Sequence, residues 1–113
     1  MLFQPSVFMK IDQNAITESI SLAVLRRASD PTNYQILQNL PTDIPTLMEY
    51  VKLSKMPLYK RLNQLEKVGL IDWKKWTGEL KSTEITDYVL ESFKEMNKNI
   101  EKVLPELVER KYA

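Results

Sequence analysis

The sequence predicts one mainly α-helical domain with a small β-hairpin and a long C-terminal helix. Three observations predict it. Apolar residues recur at steps of three and four through most of the chain, as on amphipathic helices. Residues 70–85 switch to alternation, the period of a strand. The only two glycines, Gly69 and Gly78, fall where these patterns break, and six prolines add further punctuation.

The elements follow in order. Asp12 to Ser29 reads as a first helix, with Ile16, Ile20, Ala23 and Arg27 on one stripe and Val24 beside it. Asp30-Pro31 is an N-cap followed by proline at the first helical position. It opens a short helix to about Leu40, with Tyr34, Ile36 and Leu37 inward and Pro41 as the stop. A second short helix covers about Ile44 to Lys52, with Leu47, Met48 and Val51 as its apolar set. A third starts after Ser54 and ends at Gly69, the natural residue just past a helix C-terminus. Pro57 is tolerable there because first-turn N–H groups have no intrahelical partner, but Ser54 must then cap Met56. Ile71, Trp73 and Lys75 alternate with Asp72, Lys74 and Trp76, Thr77-Gly78-Glu79 is a turn signal, and Leu80 to Ile85 alternates again, which makes a hairpin. Thr86 caps a last helix from Asp87 onward. Two short helices joined by a tight turn and followed by a two-stranded wing constitute a winged helix-turn-helix. The expected division is an arm over 1–13, a winged-helix core over 14–86 and a C-terminal dimerisation helix over 87–113. Leu2, Phe3, Val7 and Phe8 suit a strap that packs rather than an arm on DNA.

A chain of 113 residues supports one modest core. No apolar run approaches the roughly 18 residues of a membrane span, and the N-terminus lacks the basic start and small-residue cleavage site of a signal peptide. A cytoplasmic location is expected. With no cysteine and no histidine, thiolate and imidazole metal sites, thiol nucleophiles and histidine acid–base chemistry lose their players. No catalytic residue, metal site or cofactor is expected, and the chain is read as a non-enzyme.

The net charge of +1 hides a pattern. Residues 1–51 carry 3 Lys/Arg and 5 Asp/Glu, residues 52–81 carry 8 and 3, and residues 82–113 carry 5 and 7. Positive charge concentrated between acidic flanks is the footprint either of a phosphate-binding face or of a solvated lysine-rich surface. At 100° per residue, Leu58, Leu62 and Leu65 form a buried stripe on the third helix of the core. Met56, Tyr59, Lys60, Asn63 and Lys67 lie opposite, within about 100° by the same geometry. Lysine contacts guanine acceptors or phosphate, asparagine pairs with adenine, tyrosine stacks or reaches a phosphate, and methionine packs on a thymine methyl. Lys55 and the free N–H groups of the helix start suit a phosphate. Arg61, beside the leucine stripe, is an intramolecular or phosphate-level residue. On the wing, Lys74, Lys75 and Lys81 suit the backbone or minor groove. Trp73 has core parity, whereas Trp76 either contacts DNA at the wing tip or packs against a partner subunit.

Val89, Phe93, Met96, Ile100, Val103 and Leu107 are spaced four, three, four, three, four, an a/d seam. Such a strip pairs across a two-fold axis or packs on the chain's own first helix, and the dimer is the expected use. Pro105 should kink this helix or start a new turn.

Two segments resemble the ArsR-type winged-helix regulators. Ala28 to Leu37, ASDPTNYQIL, is similar to their "DPTR…IL" opening. Leu47 to Ile71, LMEYVKLSKMPLYKRLNQLEKVGLI, resembles their helix-turn-helix, through Leu53-Ser54, Leu58, Arg61-Leu62, Leu65-Glu66 and Val68-Gly69-Leu70-Ile71. About residues 28–87 are covered, and MarR-like, PadR-like and archaeal winged-helix proteins share much of the pattern. The resemblance implies a homodimer on operator double-stranded DNA, with helix 55–68 in the major groove and wing 71–85 on the flanking backbone or minor groove. Asn33 stands where an arginine is common, and Lys52 where a turn glycine is common. The metal-sensing cysteines and histidines of many members are absent, so no effector is assigned. The competing expectation is a protein-docking module that uses the same fold without DNA.

Overall fold

The structure is a computed structural model that describes the backbone of residues 5–112 and the side chains of residues 13–111. It is mainly helical, with one small antiparallel sheet. The order is α1 (Pro5–Ala28), α2 (Pro31–Gln38), β1 (Thr42–Asp43), α3 (Ile44–Val51), α4 (Lys55–Lys67), β2 (Ile71–Lys74), β3 (Glu79–Ser82) and α5 (Glu84–Tyr112).

Helix α1 is already formed at Pro5, the first described residue, well before Asp12, so most of the expected arm is helical backbone. No glycine or proline between Pro5 and Asp12 interrupts it. The expected strap lies outside the described residues at Leu2 and Phe3, and outside the described side chains at Val7 and Phe8. The predicted inward stripe is corrected: Ile16 and Ile20 are half exposed, and Val24 and Ala28 enter the core instead. This helix carries apolar residues on several sides, Leu22 and Leu25 included, so periodicity alone does not select one. It packs against α2 and α4, and those neighbours decide which side is buried.

Helix α2 starts as expected. Asp30 is extended at the N-cap, its carboxylate accepts the Asn33 N–H at 3.0 Å, and Pro31 follows. Strand β1, only two residues long, shows no alternation in the sequence. It adds to β3 through Thr42↔Leu80 and Asp43↔Glu79, giving the sheet order β1-β3-β2. Asp43 then caps α3, accepting from the Thr46 N–H at 2.9 Å. The turn to α4 is made by Lys52, left-handed at φ 56°, with the Leu53 N–H donating to Met48 O at 3.2 Å.

Ser54 occupies the α4 N-cap, but the expected cap on Met56 is corrected: its hydroxyl accepts no helix N–H. A capping oxygen accepts from the second or third helical N–H, and the third residue here is Pro57, which has none. The C-terminus closes as a Schellman motif, with Gly69 at φ 81° donating to Glu66 O at 3.0 Å and Leu70 to Leu65 O at 3.0 Å. Leu58, Leu62 and Leu65 are fully buried in one core with Ile36, Leu37, Leu47, Leu70 and Leu80. Each such side chain stabilises the fold by about 1.5–3 kcal/mol relative to exposure.

The hairpin turn occupies residues 75–78 rather than Thr77–Glu79, with the Gly78 N–H donating to Lys74 O at 2.8 Å. The register Ile71↔Ser82, Trp73↔Leu80 puts the apolar parity of both strands into the core. Trp73 is buried, as expected. The last helix begins at Glu84, not Asp87, because Thr83 rather than Thr86 is the cap. The Thr83 hydroxyl accepts from the Thr86 N–H and the Thr86 hydroxyl from the Thr83 N–H, both at 3.3 Å. Those hydroxyls also donate to Gly69 O, at 2.6 Å, and to Leu70 O, so two threonines tie the start of α5 to the end of α4. Helix α5 runs unbroken through Pro105. The radius of gyration, 18.5 Å, exceeds the roughly 13 Å of a compact chain this long.

Candidate nucleic-acid interface

Helix α4 is fixed to the core by its leucines, so its opposite side faces outward by geometry alone. The structure gathers Lys55, Met56, Lys60, Asn63 and Lys67 there, all exposed, Met56 at 79%. Among the described residues, Lys60, Asn63 and Lys67 make no side-chain hydrogen bond or ion pair. Lys55 reaches only the Tyr59 ring, 5.4 Å from its centroid. The face is therefore charged, polar and uncommitted.

Tyr59 is placed differently from the other five. It is half-buried, edge-on to Trp73 with centroids 5.0 Å apart and an interplanar angle of 84°. This contact ties the face of α4 to strand β2 and leaves less of the phenol free for a ligand.

The hairpin lysines are engaged within the chain. Lys74 and Lys81 converge on Glu79, at 4.0 and 3.5 Å. Glu79 is the cross-strand partner of Lys74, and Lys81 lies two residues along the same strand, so all three share one face of the sheet. Lys75 reaches back to Glu66 on α4 at 3.1 Å and lies 5.1 Å from the centroid of the Trp73 ring. These exposed pairs are weak and exchangeable. They nonetheless offset the positive charge that the sequence assigns to the hairpin. Trp76, at its tip, is 90% exposed.

Arg61 is an intramolecular residue, one of the two roles expected of it. Its Nη1 donates to Asp30 Oδ1 at 2.8 Å and to Asn33 Oδ1 at 3.1 Å. Asn33 is buried, and its Nδ2 donates to Arg27 O at 3.0 Å, so α4, α2 and the end of α1 meet at one polar joint. The Asn33 backbone N–H, with the Arg61 guanidinium beside it, holds the Asp30 carboxyl below its ordinary value. The hydroxyl and N–H of Thr46 do the same for Asp43.

The six residues of the predicted seam divide. Val89 is buried in the chain's own core, and Phe93 packs beside Tyr34 with ring centroids 5.3 Å apart, because α5 crosses α2 there. Met96, Ile100, Val103 and Leu107 stand clear of the core at 43–49% exposure, joined by Leu104 and Val108.

Sequence reasoning missed Glu66 and Glu79 as partners of the hairpin lysines. It also missed Arg26 and Arg27, which flank the C-terminal end of α4. The glutamates become visible only with the strand register, and the arginines only once α1 is docked. Among the described residues, no helix is long and apolar enough to cross a membrane, and no group of three or more Asp or Glu residues is placed to hold a metal ion. No family model, curated protein or solved structure matches this chain.

Proposed function

We propose that this chain is a sequence-specific double-stranded DNA-binding regulator of the winged helix-turn-helix type, similar to the ArsR-type proteins and acting as a cytoplasmic homodimer. Helix α4 enters the major groove and the β2–β3 hairpin lies beside it. The observation that carries this reading is the uncommitted outer face of α4. Lys60 and Asn63 expose an ammonium and an amide that no described residue satisfies, on a helix held rigidly from behind. That is what base-edge readout needs. The exposed apolar run from Met96 to Val108 on α5, with Ile16 on α1, supports the dimer. Apolar surface of this extent on two projecting helices is covered in an assembly.

A second reading, a protein-docking module, is favoured by Trp76, a large aromatic at 90% exposure on a hairpin whose lysines are already paired. Fluorescence anisotropy against mixed double-stranded fragments separates the two. The DNA reading expects binding whose log K falls linearly with log[salt] and which Lys60→Glu abolishes. A folded protein that binds no duplex at low salt overturns it in favour of docking.

A further inference from the structure

An open cleft of about 760 Å³ separates the C-terminal turns of α1 and α4. It is lined by Ile20, Ala23, Arg26 and Arg27 from one side and Gln64 and Lys67 from the other. No acidic residue lines it, and Arg26, Arg27 and Lys67 have no ion-pair partner among the described residues. Its position follows from α4. Gln64 lies one turn beyond Lys60, and Lys67 one turn beyond Asn63, so the cleft continues the outer face of that helix.

We propose that Arg26, Arg27 and Lys67 form a phosphate clamp that extends the DNA contact from α4 onto α1. The inference rests on the DNA-binding reading above. A 13-residue helix is about 20 Å long at 1.5 Å per residue. The major groove is only about 12 Å wide, so a helix inserted across it has its far end beside a phosphate strand. At that end of α4 the structure supplies three cations with no carboxylate partner among the described residues, two of them guanidiniums suited to bidentate phosphate contact. The hairpin lysines must first give up Glu79 and Glu66. The non-specific part of the affinity therefore comes more from this clamp than from the hairpin.

The test compares salt titrations of the full chain, of R26Q/R27Q/K67Q and of K74Q/K81Q on one duplex, with circular dichroism confirming that each is folded. The slope of log K against log[salt] falls by about 0.9 for each phosphate that the protein no longer neutralises. The clamp predicts a drop of one to two such steps for the triple variant, the same on any duplex sequence, and a smaller drop for the hairpin variant. Wild-type binding with an unchanged slope in the folded triple variant overturns the clamp alone. A wild-type chain that binds no duplex overturns both the clamp and the reading beneath it.

Discussion

Arg61 Nη1 lies 2.8 Å from Asp30 Oδ1, joining the middle of α4 to the residue that caps α2. Asp30 thus does two tasks, accepting the Asn33 N–H and the Arg61 guanidinium through the same oxygen. Asp30→Ala removes the cap and the ion pair together. A missing N-cap costs about 1 kcal/mol, and the ion pair adds little because both side chains are partly exposed. The pH dependence has a definite sign. The folded carboxyl titrates below its ordinary value of 3.8, so its stabilisation is complete above that value and is lost as pH falls through the lower, folded one. Urea unfolding of wild type and Asp30→Ala should differ at pH 7 and converge in acid. A gap that widens in acid contradicts this assignment.

The Thr83–Thr86 pair sets where α5 leaves the core. Thr86 is fully buried, and its hydroxyl serves both Leu70 O and the Thr83 N–H. Thr86→Val keeps the shape and strands those two backbone groups. The expected cost is about 1–3 kcal/mol, read as a lowered urea midpoint with an unchanged m-value.

Lys52 holds a left-handed conformation, at φ 56°, that an L side chain adopts at a cost of roughly 1–2 kcal/mol. Glycine adopts it freely but has more unfolded-state entropy to lose, a penalty of about 0.5–1 kcal/mol. Lys52→Gly should therefore leave the protein as stable as wild type, or more stable by up to about 1.5 kcal/mol by the difference between those effects. A loss of stability on chemical denaturation would contradict the strain.

The two ends of the α5 seam make opposite predictions. Val89→Asp puts a carboxylate into the chain's own core and should unfold the protein. Ile100→Asp sits beyond the core, so it should leave the circular dichroism spectrum intact while shifting the sedimentation coefficient from dimer to monomer. Under the proposed DNA-binding function it should also weaken duplex binding, since a dimer would set one α4 helix at each of two half-sites. A monomeric wild type would contradict the dimer.

Periodicity is legible where burial is one-sided. Leu58, Leu62 and Leu65 on α4, and Ile71 and Trp73 on β2, lie where the pattern puts them because each faces a single core. Gly69 and the Asp30-Pro31 pair mark boundaries through backbone chemistry that needs no tertiary context. The misses have the opposite character. Helix α1 is apolar on several sides, and β1 is too short to show a period. Thr83 and Thr86 can each cap a helix, a choice settled only by where Gly69 O and Leu70 O lie. The outward face of α4 is readable at Met56, Lys60, Asn63 and Lys67 but not at Tyr59, whose contact with Trp73 depends on where β2 lies. The neutralisation of the hairpin by Glu79 and Glu66 depends instead on strand register and on how the hairpin lies against α4.

The proposed function turns on base-sequence readout by the outer face of α4. Selection of duplexes from a randomised pool with the purified chain, followed by anisotropy on the enriched sequence with wild type and Asn63→Ala, measures that readout. The account predicts an enriched motif with two-fold symmetry and half-sites about 10 base pairs apart or a multiple of that. Asn63→Ala should cost it about 1–3 kcal/mol of discrimination at one base pair. No enrichment by a folded protein, or an enriched sequence bound equally well by Asn63→Ala and Lys60→Ala, would contradict it.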